Sequence, residues 1–254
     1  MILFRQEYSV ASELRQAELT RTRQINSEAG VFECIHDVHP GDKRLTFEDL
    51  FEIGDRQYAD QICVVANSDI SFDQSLRTLK DLVTDNVLIA LTRWDNSVAP
   101  SMEGTVEPRD WKFYSHSQDV WVFRGRQLPG FRKDFVLGMP RCENRLLYEA
   151  YQAGVKILNP ALSVKAMHHH ASAVRSWVAG DFYRGCLYFP RLTTLATNGP
   201  EGLIARGQNL ENRTIVGTDG LERAWPARSG KRRKWYQRIR LRTPVYLKND
   251  NRQT

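Results

Sequence analysis

Asp69 closes an apolar run, Gln61-Ile-Cys-Val-Val-Ala-Asn-Ser-Asp69, in which the β-favouring residues Ile62 to Val65 give way to Asn67, Ser68 and a carboxylate. A continuous apolar run bounded by polar residues is the pattern of a strand buried on both faces. In open α/β sheets ligands bind beyond the carboxyl ends of such strands, where side chains can leave the core. One carboxylate with neighbouring oxygen donors suits a hard cation, Mg²⁺ or Mn²⁺, above all when a diphosphate supplies the remaining oxygens. The same residues have a second reading, a turn that caps the following helix, because Ser and Asp are favoured N-caps.

Further polar clusters fall at the ends of elements. In Leu91-Thr-Arg-Trp-Asp95 a strand again breaks at charged residues, and Arg93 with Asp95 also reads as a structural ion pair. Ser117-Gln-Asp-Val-Trp-Val-Phe123 puts Gln118 and Asp119 just before a strand, where they would hold hydroxyl groups by hydrogen bonds. Between Phe135 and Arg145, Gly138 and Pro140 make a turn that feeds a helix starting at Glu143. A carboxylate in a first helical turn is commonplace because the helix dipole favours it. A loop that directs Glu143 toward the crevice of Asp69 would also let it take a proton from an attacking hydroxyl. Last, Val164-Lys-Ala-Met-His-His-His-Ala-Ser172 holds half of the six histidines. In an extended chain His168 and His170 share one face and His169 takes the other, so the pair can ligate a metal or contact phosphate. Adventitious nickel or zinc binding is the alternative.

The elements that must position these residues are legible as an alternation. We expect strands at Ile2 to Phe4, Gly30 to Ile35, Ile62 to Ala66, Val87 to Leu91, Val120 to Phe123 and Val155 to Leu158. Helices are expected from Tyr8 to about Ile25, exposed because its apolar positions are sparse, from Thr46, from Asp73 to Val83, and from Glu143 to Ala153, closed by Gly154. Strands alternating with helices indicate an α/β sandwich with a largely parallel sheet. After about Ser176 the alternation fades into Gly- and Arg-rich sequence read as irregular, which divides the chain into residues 1–176 and 177–254.

At 254 residues the chain can bury one substantial core, and 41% hydrophobic with 10% aromatic residues are globular values. No window approaches the ~18 apolar residues of a membrane span. The start, Met1-Ile-Leu-Phe-Arg5, turns polar too quickly for a signal peptide, from which we expect a cytoplasmic protein, with peripheral membrane contact left open. Cys34, Cys63, Cys142 and Cys186 are widely spaced and read as free thiols.

Taken together, Ala66-Asn-Ser-Asp-Ile-Ser-Phe-Asp73, Leu91 to Asp95, Ser117 to Trp121, Phe135 to Arg145, Asn159-Pro160 and His168-His-His170 resemble, in order and spacing over roughly the first 175 residues, a group of GT-A-type nucleotide-sugar glycosyltransferases. The resemblance implies a GT-A-like, Rossmann-like α/β sandwich with a mostly parallel central sheet and an irregular basic C-terminal extension. It implies that Asn67-Ser-Asp69 stands in the place of the metal and diphosphate motif often written DxD, with Asn in the first position, so that Asp69 carries the Mn²⁺ or Mg²⁺ with His170 or His168. Glu143 takes the place of the presumed base of inverting members, within Arg141-Cys-Glu-Asn-Arg145 where relatives often read Gly-Cys-Asp-Asn-Arg. The implied donor is a UDP- or GDP-sugar and the acceptor a glycan, a lipid-linked sugar or a nucleic acid. Phe4, Arg5 and Gln6 would meet the nucleobase, Asn67, Ser68, Arg93, Asp95, Gln118, Asn144 and Arg145 would line the substrates, and Asp119 would join Glu143 as a catalytic residue by orienting donor or acceptor hydroxyls. On this reading Asp69→Ala abolishes transfer and leaves the fold intact.

A different class of function rests on the C-terminal basic block. From Arg228 to Arg242 the chain is basic without an acidic residue, interleaved with aromatics, and the rest is close to neutral although the net charge is +6. Arg232, Arg233, Lys234, Trp235 and Arg238 would neutralise phosphates and stack on bases of a nucleic acid, or face an anionic lipid surface. A glycoside hydrolase needs paired carboxylates across one bond, and no such pair stands out.

Overall fold

The apolar runs do form strands, and their order explains where the polar tips meet. The computed structural model describes residues 1–7, 10, 12–41, 43–95, 115, 117–170, 182–197, 199–206, 214–217 and 222–224. Strands β1 (Ile2–Gln6), β2 (Cys34–Val38), β3 (Ile62–Ala66), β5 (Val87–Thr92), β6 (Gln118–Arg124) and β7 (Lys156–Leu158) make a six-stranded sheet in the order β2-β1-β3-β6-β5-β7. β1 pairs in parallel with both β2 and β3, and β5 with β7, whereas β6 runs antiparallel to its neighbours β3 and β5. The reversal has a consequence for chemistry. Ala66 pairs with Val120 and Thr92 with Gln118, so the start of β6 lies beside the carboxyl ends of β3 and β5.

Both sheet faces are covered, as the continuous apolar runs demand. On one face Phe4, Val65, Trp121 and Phe123 pack with α2 (Phe47–Gln57) and α3 (Cys142–Gln152). Phe47 meets Trp121 edge-on at 4.5 Å between centroids, and Phe51 stacks on Phe123 at 4.3 Å. Each such buried side chain stabilises the fold by about 1.5–3 kcal/mol. On the other face Leu3, Val64, Ile89 and Val122 pack with Ile70, Leu76, Leu79 and Val164. Thr46 caps α2 in a reciprocal capping box with Asp49, and Gly154, at φ 81, ends the segment after α3.

Helix α1 (Glu13–Glu28) is capped by Ser12, and its inward stripe is Arg15, Leu19, Thr22 and Asn26. Residues spaced four, three and four apart lie on one helical face, but here most of that face is polar. Asn26 donates to the Ile70 carbonyl at 2.9 Å and accepts from the Phe72 amide at 3.0 Å, docking the helix on β4 (Ile70–Phe72). β4 pairs antiparallel with β8 (Ala166–His168), Ile70 opposite His168.

Three expectations need correction. The second strand begins at Cys34, because Gly30 turns the chain at φ 65 after α1. The segment after Asp73 is a short 3₁₀ helix, Gln74–Leu79, whose start is capped by the Asp73 carboxylate on the Ser75 amide. Its Leu76 and Leu79 reach the core at the i, i+3 spacing that a 3₁₀ helix superposes. The region read as irregular contains a second, antiparallel sheet, β12-β11-β10-β9, from β9 (Leu187–Pro190), β10 (Gly202–Arg206), β11 (Thr214–Gly217) and β12 (Glu222–Ala224). Gly202 is required there, since a Cβ would fall 2.1 Å from the Tyr188 ring. Among the described residues no helix is long and apolar enough to cross a membrane. The basic block at 228–242, with Arg232, Arg233, Lys234, Trp235 and Arg238, lies outside the described residues.

Candidate active site

From β1 the chain reaches β2 on one side and β3 on the other, so the sheet order reverses between β1 and β3. That switch point is where an open α/β sheet leaves a crevice. Ser68, the residue before Asp69, donates its hydroxyl to the Gln6 carbonyl across it. Asp69 follows at the end of β3 with its side chain almost wholly buried.

Three cationic or ligating groups converge on one oxygen of Asp69. Oδ2 lies 2.6 Å from Arg15 Nη2, 3.3 Å from His168 Nε2 and 3.5 Å from His170 Nδ1. The β4–β8 ladder brings the histidines there, and the His169 amide donates to the Asp69 carbonyl at 2.8 Å. Alternation then does what the sequence implied: His168 and His170 face Asp69, while His169 hydrogen-bonds the Ser71 hydroxyl on the other side. The ligand atoms of Asp69, His168 and His170 all lie within 4.8 Å of one another, and this group can hold a metal ion. Burial by itself would raise the Asp69 pKa, but hydrogen bonds from His168, His170 and Arg15 hold the carboxyl well below its usual range. Burial would likewise lower the His168 pKa, yet Asp69 and Asp95 push it up to about 9.

Asp119 stands across from this cluster at the head of β6. It accepts a hydrogen bond from the Asn67 side chain and lies 3.5 Å from Arg93 Nη1. Arg93 also pairs with Asp95 at 3.0 Å, and Asp95 reaches His168 Nδ1 at 3.1 Å. The ion pair expected of Arg93 and Asp95 is therefore present, and it joins the Asp69-His168-His170 group to Asp119.

Glu143 sits in the first turn of α3, half-buried. Desolvation is the main cause that pushes its pKa up to about 7; the nearby Asp119 charge adds to this, and Arg93 opposes it. Cys142 Sγ donates to Glu143 Oε2 at 3.3 Å. A carboxyl that changes charge near pH 7 is suited to proton transfer, and Asp119 and Arg93 act on its charge directly.

Several expected contact residues do other work. Phe4 is fully buried and stacks on His36 at 5.3 Å between centroids, so it belongs to the core. Gln118 spends its amide inside the protein, accepting from Asn144 at 3.1 Å and donating to the Ser115 carbonyl at 2.9 Å. Asn144 also donates to the Tyr188 carbonyl. The two amides tie β6, α3 and β9 together and so position Asp119 and Glu143, instead of orienting substrate hydroxyls. Arg145 donates to the Cys186 carbonyl at 2.6 Å, pairs with Glu149 and packs on Phe135 and Tyr148. Arg5 is buried against Asp37 at 3.1 Å, and Gln6 meets the site through its backbone.

Arg15 and Asp37 were missed by sequence reasoning. Asp37 joins Arg5 and Arg23 at the end of β2. Arg15 was hidden by the reading of α1 as an exposed helix; the polar stripe Arg15, Thr22, Asn26 was the available signal. Comparison with known proteins returned no matching family model, no matching curated protein and no matching solved structure.

Proposed function

We propose that this chain is a glycosyltransferase that moves a sugar from a nucleotide-sugar donor to an acceptor hydroxyl, with Glu143 as base. The observation that carries the reading is the pairing, at one sheet switch point, of an Asp-His-His cluster able to hold a cation with a desolvated carboxyl poised near pH 7. The sequence motifs that resemble nucleotide-sugar transferases supply the residues of both halves.

In this mechanism Glu143 accepts the proton of the acceptor hydroxyl as its oxygen bonds to the anomeric carbon and the bond to the diphosphate breaks. Asp119, fixed by Asn67 and Arg93, keeps negative charge beside Glu143 and raises its affinity for that proton. A divalent cation held by Asp69, His168 and His170 would supply Lewis-acid charge for the departing diphosphate. Two imidazoles with one carboxylate fit Mn²⁺ better than Mg²⁺, which prefers oxygen ligands throughout. Arg15 and Arg93 add positive charge on either side.

The test is a thermal-shift screen of UDP-, GDP-, CMP- and dTDP-sugars with and without Mn²⁺, since a ligand of the native state raises stability. Stabilisation by one donor that requires the metal is the expected result. The same donor set also serves iron(II) oxygenases. Stabilisation by iron with no response to any nucleotide would replace our reading by that one, and a response to polyanions alone would favour nucleic-acid binding through the 228–242 block.

A further inference from the structure

Arg141 immediately precedes α3, two residues before Glu143, and among the described residues no carboxylate pairs with it. Nη1 is shielded from solvent with no hydrogen-bond partner. Desolvation depresses the guanidinium's pKa, and no charged neighbour among the described residues offsets it. A buried cationic donor without a partner is costly. Its backbone is also held at φ 70, in the left-handed region that costs a non-glycine residue about 1–3 kcal/mol. Two unfavourable features thus meet at the residue that leads into α3, just before Glu143.

An aromatic ring adjoins it. The Arg141 guanidinium lies 4.1 Å from the centroid of Phe182, and that of Arg184 lies 6.0 Å from the same ring. Phe182 remains 38% exposed. The scaffold beneath is pinned, because the Tyr183 amide donates to the Pro140 carbonyl at 3.1 Å and the Tyr183 hydroxyl accepts from the Val136 amide at 2.8 Å. Arg145, by contrast, is satisfied by Cys186 and Glu149, so the deficit belongs to Arg141.

We propose that Arg141, Phe182 and Arg184 form an acceptor subsite for a sugar bearing an anionic group, a carboxylate or a phosphate, with the anion on Arg141 and the sugar ring against Phe182. A guanidinium binds either anion in a bidentate, charge-assisted fashion, and the electron-rich face of an aromatic ring attracts the C–H edge of a sugar. The placement beside the reacting hydroxyl rests on the glycosyltransferase reading; the binding chemistry does not.

The test uses the full chain without nucleotide or metal, measuring by NMR titration the affinities of methyl glucuronide, glucose 6-phosphate and the neutral methyl glucoside. At least one anionic probe should bind about tenfold more tightly than the glucoside, the discrimination expected of one charged hydrogen bond; which one does so separates carboxylate from phosphate. Arg141→Asn, a residue that tolerates the left-handed backbone, should remove the preference, Arg184→Gln should reduce it, and Phe182→Ala should weaken all three probes. Thermal shifts by the nucleotide-sugar donor should be unchanged in these variants. Equal affinities, no binding, or a preference that survives Arg141→Asn would overturn the proposal. So would binding to phosphatidylserine vesicles that depends on Phe182, which would make the patch a membrane contact. If the preference holds while no donor binds, the subsite stands and the glycosyltransferase reading falls.

Discussion

Two carboxylates of this crevice are treated in opposite ways. Asp69 is buried among Arg15, His168 and His170 and held ionised, whereas Glu143 is desolvated and its charge is favoured only by a backbone hydrogen bond, the Cys142 thiol and Arg93, too little to keep its pKa from being pushed up to about 7. The same low-dielectric setting therefore yields a fixed charge at one end and an exchangeable proton at the other. When environments push two carboxyl groups apart, their roles in acid–base chemistry separate with them. A group locked into three partners can hold a cation but cannot shuttle a proton, and the reverse applies to Glu143.

The sharpest way to break this division is to remove the exchangeable proton. Glu143→Gln should lower turnover by about 10²–10⁴-fold, the usual contribution of general base catalysis, while the metal-dependent thermal shift by donor persists. Unchanged turnover would remove Glu143 as the base. At the other carboxylate, Asp69→Ala should lower stability as well as abolish metal binding, because Arg15 would lose one buried anion and keep Glu18 and the His169 carbonyl. Breaking a buried pair costs about 3–5 kcal/mol when the remaining charge is left uncompensated; with Glu18 still on Arg15 the loss should fall below that range, which a melting curve resolves. Asp69→Asn keeps the shape and a hydrogen-bond acceptor for Arg15. It should melt above Asp69→Ala yet lose the Mn²⁺ response equally; a full Mn²⁺ response would end the metal assignment.

pH separates the same two groups. Glu143 has a folded pKa raised above its ordinary 4.5, so the fold holds the proton more tightly than the unfolded chain does. Its contribution to stability is therefore lost as pH rises from about 4.5 to about 7 and stays lost above. Wild type and Glu143→Gln should be similar near pH 4, with the variant the more stable at pH 8 by up to about 3 kcal/mol. Turnover should rise through pH 7 as the base ionises, so activity and stability move in opposite directions. His168 also has a raised pKa, from 6.5 to about 9, so its ion pair stabilises the metal-free protein fully below 6.5 and is lost as pH rises through 9. Metal ligation requires neutral imidazole. Mn²⁺ binding at pH 7 should therefore release a proton, read by calorimetry in buffers of differing ionisation heat, and no release would contradict a protonated His168.

The sequence exposed one half of this contrast better than the other. Asp69, His168 and His170 were legible because strand periodicity alone says which residues share a face, and the β4–β8 pairing only had to bring two such faces together. Glu143 was legible as a helix-start carboxylate, but its raised pKa comes mainly from desolvation, to which Asp119 adds because β6 runs against the sheet; no local pattern states burial in a crevice or strand direction. Gln118 and Asn144 looked like substrate contacts because polar residues at element ends look alike, whether they bind ligand or join β6 to α3. Arg15 was invisible for a related reason. A helix whose inward stripe serves a polar site carries no apolar stripe, so hydrophobic periodicity scores it as exposed.

Arg15 also offers the finest test of the Asp69 corner. Its Nη2 lies on the same oxygen that faces both histidines, where a bound cation would need that lone pair and would meet a guanidinium of like charge. Against this, partners that orient a metal ligand usually strengthen binding, and their loss costs about 10–100-fold in affinity. Here the competition should win, because His168, His170 and the paired backbone of β4 and β8 already fix the corner, so that little orientation is left for Arg15 to supply. Arg15→Met should accordingly raise Mn²⁺ affinity by about tenfold, ~1.4 kcal/mol, with a smaller loss of stability than Asp69→Ala because Asp69 keeps His168. Weaker Mn²⁺ binding in Arg15→Met would mean that the arginine orients the carboxylate for the metal, and the Asp69 corner would then depend on α1 as much as on its own strands.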